Sequence, residues 1–265
     1  MRRTRMENER NEGFLVRIEG PIGVMTMNKP ASLNALDAGM LDDLLQAIKR
    51  LDNDPVVRVL LLFGTEKAFA AGADIHSMAP MTQQQIRADG FIQKFGEIGQ
   101  HNKPLIACVS GYALGGGFEV ALACDMILAC ETAIFGLPEI NLGVIPGGGG
   151  TQRLARQIGK ALATEMILAD RKLDASEAAR LGVVNRVYPK DTFVQQCMEF
   201  ANKIAGKPID AVVAARSAIV QSDELPLKSG LDYERDLFYA LFDTDDQKEG
   251  MRAFLEKRKP AWISK

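Results

Sequence analysis

The chain has 265 residues, 47% of them hydrophobic and 25% charged, with a formal net charge of −2. That length suffices for one good core, or for a core with a smaller second unit. The charge total favours neither nucleic acid nor an anionic membrane surface, and no apolar run is long enough to span a bilayer.

At the N-terminus, Arg2, Arg3, Arg5 and Arg10 hint at a transit peptide, but Glu7, Glu9 and Glu12 are the wrong company for one. Residues 1–12 are therefore read as a short disordered tail, and a bacterial cytoplasm is the expected compartment, ahead of a mitochondrial matrix. Phe14, Val16 and Ile18 alternate with other residues, Gly20-Pro21 turns the chain, and Ile22 to Met27 returns, which predicts a β-hairpin. Leu36, Met40, Leu41, Leu44, Leu45, Ile48 and Leu51 recur at helical spacing, with Asp37 as N-cap. Val56 to Phe63 reads as a buried strand, followed by the small-residue loop Ala70-Ala-Gly-Ala-Asp74. Residues 82–101 are weakly helical because Gly90, Gly96 and Gly99 interrupt them.

Pro104 to Val109 is a further strand, and Gly111 to Gly117 a glycine-rich turn into a helix. Met126–Ala129 and Ala133–Phe135 are short strands. After Gly147 the character changes: residues 151–168, 175–181, 191–205, 208–221, 227–242 and 245–258 look helical, with one short strand around Val183–Val187. The pattern is a β-rich α/β core followed by helices packed on that core or on a neighbouring subunit.

Cys108, Cys124, Cys130 and Cys197 sit among apolar neighbours and form no Cys-x-x-Cys pair, and the histidines are His76 and His101 alone. Reduced core thiols are expected, with neither a structural zinc nor a metal mechanism.

Three stretches carry chemistry. Ser110-Gly-Tyr-Ala-Leu-Gly-Gly-Gly-Phe-Glu119 places consecutive glycines between a strand and a helix, where unpaired amides at the positive helix end suit a phosphate or a developing oxyanion. It lacks the Lys-Ser/Thr of a P-loop and the spacing of a dinucleotide site, which leaves an oxyanion hole or plain tight packing. Glu119 in the first turn is equally explained by capping. Glu139, in Phe135-Gly-Leu-Pro-Glu139, stands in an otherwise uncharged stretch, where a raised pKa would suit general acid work. A second glycine cluster, Gly147 to Gly150, follows it. In Lys67 to Ile75, Ala73 is a candidate second amide donor, while Asp74 reads equally as a helix N-cap.

Together and in this order, Ala71-Gly-Ala-Asp-Ile75, Gly111-Tyr-Ala-Leu-Gly-Gly-Gly117 with Glu119, and Phe135-Gly-x-Pro-Glu139 with Gly149-Gly-Thr-Gln-Arg153 resemble the crotonase superfamily, the enoyl-CoA hydratase/isomerase family, from about residue 13 onward. The resemblance implies an α/β crotonase (ClpP-like) fold: repeated ββα units form a spiral core over residues 13–200, and a C-terminal helical trimerisation module follows over 201–265. It implies that the Ala73 and Gly116 amides hold a thioester oxygen, while Glu119 and Glu139, with the Gly147 amide, hold the water added to a 2-enoyl-CoA. Retention of both glutamates points to hydration; the alternative is double-bond isomerisation, which needs only one carboxylate.

Further implied roles are acyl-CoA contacts at Ala71, Asp74, Ile75, Phe254 and Lys257, the last two often serving a neighbouring subunit. A homotrimer or homohexamer is implied, and no cofactor beyond the substrate's own coenzyme A. Some relatives bind RNA through a lysine-rich helix, and no such mid-chain cluster occurs here. His76 stands where relatives often have Lys, and Gly148 where they often have Ala, which is expected to loosen the second loop. Met78, Met81, Phe91, Ile92 and Phe95 are read as acyl-pocket lining or as ordinary helix packing.

Overall fold

The computed structural model describes residues 13–263 together with the backbone of Thr4–Arg5. The expected tail over 1–12 otherwise lies outside the described residues. Thr4–Arg5 (β1) pairs antiparallel with the outer side of β2 (Phe14–Glu19), which forms the expected hairpin with β3 (Ile22–Met27) in register Phe14↔Met27.

Beyond the hairpin the chain repeats one manoeuvre. After α1 (Ala38–Asn53), β4 (Val59–Phe63) enters a large sheet and β5 (Ala68–Ala70) enters a small one. Three short helices follow, α2 (Ile75–Met78), α3 (Gln83–Asp89) and α4 (Phe91–Glu97). Next, β6 (Leu105–Val109) and β7 (Tyr112–Leu114) divide in the same way before α5 (Gly116–Ala123), and β8 (Met126–Cys130) and β9 (Ile134–Gly136) do so again. Two helices, α6 (Gly150–Ile158) and α7 (Lys160–Leu168), lead to β10 (Leu173–Asp174), α8 (Ala175–Arg180) and β11 (Arg186–Tyr188). The large sheet runs β1-β2-β3-β4-β6-β8-β11 and the small one β10-β9-β7-β5. Each ββα unit thus gives one strand to each sheet, and the units advance as a spiral.

Period-2 alternation lets the large sheet bury both faces. Leu60, Leu62, Leu105, Ala107, Val109, Ile127 and Ala129 face the main core between the sheets and helices. Val59, Leu61, Phe63, Ile106, Cys108, Leu128 and Cys130 face the other side, under α9 (Phe193–Ala205). All four cysteines are free and buried. Asp37 caps α1 as expected, its side chain accepting from the Met40 amide at 2.8 Å.

Several boundaries differ from expectation. The strand predicted from Val56 starts at Val59, because Asp54 caps a turn through Val56 and Val57. The Gly111–Gly117 turn contains β7. Left-handed Gly90 divides the helical stretch 82–101, and Gly159, at φ +83°, divides 151–168. The two-residue β10 carries no periodicity a sequence could reveal. The 200/201 division falls inside α9, whose Ala201 and Ala205 are buried on the large sheet with Phe193 and Cys197.

After α9 come α10 (Ile209–Gln221), α11 (Leu227–Ala240) and α12 (Asp245–Leu255). Arg216 of α10 fastens them to the core: its Nε lies 2.8 Å and 2.9 Å from the Asp125 carboxylate oxygens, and its Nη groups donate to the Gly99 and His101 carbonyls. Asp125 in turn accepts from the Leu105 amide at 2.8 Å. Both side chains are mostly buried, so removing one partner strands a charge. Arg216→Met is expected to lower unfolding free energy by about 3 kcal/mol, measured by urea denaturation at fixed protein concentration.

Candidate active site

Strands β5 and β7 are parallel neighbours, so the loops leaving their C-terminal ends emerge side by side. From β7 the chain turns at Gly115, whose φ of +50° and ψ of −128° exclude a side chain on steric grounds. Its amide donates to Gly136 O at 2.9 Å, and its carbonyl accepts from Glu119 N at 3.0 Å to start α5. A Cβ on Gly115 would stand 2.9 Å from Glu139 Oε1 and 3.7 Å from Gly72 Cα, so all three chemistry-bearing stretches meet here.

The loop after β5 is laddered to residues 33–36. Ala71 N donates to Leu33 O at 3.0 Å, Leu36 N to Gly72 O at 2.8 Å and Asp74 N to Leu36 O at 2.8 Å. This pattern uses the groups on either side of Ala73 but not its N–H, which meets no acceptor among the described residues; neither does the N–H of Gly116, the first residue of α5. Two free amides therefore lie at the ends of adjacent strands, where an oxygen gaining negative charge would find donors fixed in advance.

Glu119 is 3% exposed and its Oε1 accepts from Gly150 N at 2.8 Å. Burial raises its pKa; the Gly150, Gly148 and Gly149 amides and the Arg153 charge oppose that rise. Glu139 sits on the 3₁₀ turn Pro138–Leu142, half-buried, with Oε2 buried and unpartnered. Its pKa is pushed up to about 7, chiefly by burial and further by the negative charges of Glu119 and Asp170, against its own backbone amide. The two carboxyls thus feel each other but sit in unequal surroundings.

Gly148 does not loosen the second loop. A Cβ there would come 2.6 Å from the Phe95 ring and 2.9 Å from Glu119 Oε2; the ring fills that space, and Arg153 Nη1 ties down the Gly148 carbonyl at 2.8 Å. Phe95, 1% exposed, also approaches Gly116, so it packs between both glycine turns. Ile92 lies against Gly147, which is exposed at the rim.

Of the residues read as acyl-CoA contacts, Ala71, Asp74 and Ile75 flank Ala73. The Asp74 carboxylate caps α2 by accepting from His76 N at 3.0 Å, and Ile75 is exposed. Phe254 and Lys257 stand apart: α12 packs mainly on the Leu241–Asp243 turn, and Phe254 is 82% exposed. Two participants are not signalled by any motif: Asn34 and Asp170 sit in left-handed backbone, a trait of Asn and Asp that marks such positions for a closer look. Arg153, which closes the second glycine motif, gains its role only from its contact with the Gly148 carbonyl. Among the described residues no cluster of His, Cys, Asp or Glu is arranged to hold a metal, and no helix is long and apolar enough to cross a membrane.

The family model for enoyl-CoA hydratase/isomerase matches residues 17–265. The chain is 48% identical to a probable enoyl-CoA hydratase of Rhizobium meliloti, over 94% of this chain and 96% of that one. It is 43% identical to the 2,3-dehydroadipyl-CoA hydratase of Escherichia coli K12, over 89% and 93% respectively. The crystal structure of an enoyl-CoA hydratase from Bacillus anthracis superposes with a TM-score of 0.90 at 36% identity, covering 96% of this chain and all of that one.

A raised carboxyl pKa has a consequence for stability. The folded state holds the Glu139 proton more tightly than the unfolded chain, whose value is near 4.5. That contribution is fully present below about 4.5 and is lost as pH rises through about 7. Glu139→Gln should therefore be more stable than the parent at pH 8, by about 1–2 kcal/mol once solvent screening of this half-buried carboxyl is allowed for, and gain nothing at pH 4. Urea denaturation at the two pH values measures the difference.

Proposed function

The chain belongs to the enoyl-CoA hydratase/isomerase family, and we propose that it is an enoyl-CoA hydratase in which Glu119 and Glu139 share the water added to a 2-enoyl-CoA. The observation that carries this reading is the pair of carboxyls in unequal surroundings beside two free amides. Burial raises the pKa of Glu119, but three backbone amides and Arg153 oppose that rise and support its ionised form, which suits a base. Glu139, with Oε2 unpartnered and a pKa of about 7, suits an acid near neutral pH.

In the reaction Glu119 takes one proton from the water as its oxygen bonds to Cβ. The C=C electron pair moves toward the thioester, and the oxygen becomes enolate-like between the Ala73 and Gly116 N–H groups. Glu139 delivers a proton to Cα from the same face, giving a 3-hydroxyacyl-CoA by syn addition. The exchanged proton then returns from Glu119 to Glu139. Donors aimed at the enolate oxygen stabilise the transition state more than the ground state. The exposed Gly147 amide is a third partner for the water.

We assign the coenzyme A pantetheine and phosphates to the Ala71–Ile75 loop, and the adenine and 3′-phosphate to Phe254 and Lys257 of a neighbouring copy. No metal or separate cofactor enters this scheme. A trimer or hexamer is supported by the apolar side chains that α10 and α11 leave exposed, among them Ile219, Leu227, Leu231, Phe238 and Tyr239. Four free buried thiols suit a cytoplasm.

Glu119→Gln and Glu139→Gln should each slow crotonyl-CoA hydration by about 10²–10⁴-fold with circular dichroism unchanged. The assay follows loss of the conjugated thioester absorbance. Near-parental turnover in either variant overturns the two-carboxylate scheme. Faster conversion of a 3-enoyl-CoA to its 2-enoyl isomer than hydration of crotonyl-CoA would make isomerisation the activity.

A further inference from the structure

Asn34 is fully buried in a turn where no apolar pattern explains it. It follows left-handed Leu33 and is itself left-handed, with φ values of +53° and +58°. Every polar atom of its side chain is used. Nδ2 donates to Ala68 O at 2.9 Å and to Phe69 O at 3.0 Å, while Oδ1 accepts from Lys29 N at 2.7 Å. The two carbonyls belong to β5 at the point where its register with β7 slips, between Ala68 and Ala70. Asn34 thus supplies a donor to Phe69 O at this irregularity and shares the Ala68 carbonyl with Thr65, whose N–H and hydroxyl also donate to it.

Its position gives the contact a second effect. The residues just after it, Ala35 and Leu36, run into the ladder with Gly72 and Asp74 that leaves the Ala73 N–H free. On the other side of β5, the first turn of α5 lies against Ala70: a Cβ on Gly117 would stand 2.0 Å from the Ala70 carbonyl oxygen. Strand β5 is therefore the common support of the Ala73 and Gly116 amides, and Asn34 pins its Ala68 and Phe69 carbonyls to the turn that leads into the Ala73 ladder. Lys29 closes the frame by bonding Asp37 Oδ2 at 2.8 Å, which joins the turn to the start of α1.

We propose that Asn34 is a positioning residue for the thioester-oxygen site, holding β5 and its following loop so that the Ala73 and Gly116 amides keep their mutual spacing. This rests on the reading of those amides as the oxygen's donors. Oxyanion donors act only when fixed before charge develops, and a displacement of about 1 Å costs roughly 10²-fold in rate. Loosening β5 should therefore lower kcat more than it raises KM.

The test compares Asn34→Ala with Asn34→Gly, the second preserving access to positive φ. Two quantities are read: kcat and KM for crotonyl-CoA, and the carbonyl stretch of bound butyryl-CoA labelled with carbon-13 at the thioester carbon. Expected are a kcat lowered about 10–100-fold, KM within about threefold, and a smaller carbonyl downshift than in the parent, in at least one variant that keeps its fold and assembly. Unchanged kcat and downshift overturn the proposal, as does a loss of kcat with the downshift intact. Failure of both variants to fold overturns it too, since Asn34 would then serve the fold and not the site. If the parent itself shows no downshift, the oxyanion reading fails, and this proposal falls with it.

Discussion

Where α5 begins, its backbone lies so close to that of β5 that no side chain fits between Gly117 and the Ala70 carbonyl. That approach brings two strand ends together with both amides, Ala73 and Gly116, unspent. It also sets the first turn of α5, and with it Glu119, beneath the second glycine turn. Because α5 buries all eight of its residues, it cannot shift without disturbing the core on every side. The site inherits that rigidity from a contact made by atoms every residue has, and the glycines contribute by what they lack.

The same packing sets the electrostatics. A glutamate placed on α5 is buried whatever its chemistry, and burial disfavours its charge. The chain offsets that cost with backbone amides from Gly148 to Gly150 and with Arg153, whose own contact with the Gly148 carbonyl holds the loop in reach. Glu139 receives no such help on Oε2. Two carboxyls in one site cannot easily both ionise, and the difference in their partners decides which gives way. The stability that the Glu139 proton contributes is lost as pH rises through about 7.

The helical end of the chain obeys different rules. Helices α10 and α11 bury no residue completely within the described chain, in contrast to α9, which seals the outer face of the large sheet. Arg216 gives this region a polar, geometrically demanding attachment, while its apolar side chains remain outward.

Much of this was legible in the sequence because it is local. The continuous apolar run Leu105–Val109 announced a strand, and Asp37 announced the start of α1. Glu119 and Glu139 beside glycine turns raised the question of a site, and the family resemblance named its chemistry. Local pattern could not say that successive strands divide between two sheets, since β4 and β5 alternate no differently in either. Nor could it show that Gly148 makes room for Phe95, that Asn34 grips β5, or that Arg216 reaches Asp125 across 91 positions of chain. Those depend on which distant segments share a volume. Residue order determined the elements and the polar groups; only the tertiary packing decided that the loops carrying two carboxyls and two unspent amides meet, because distance through space is not written in distance along the chain.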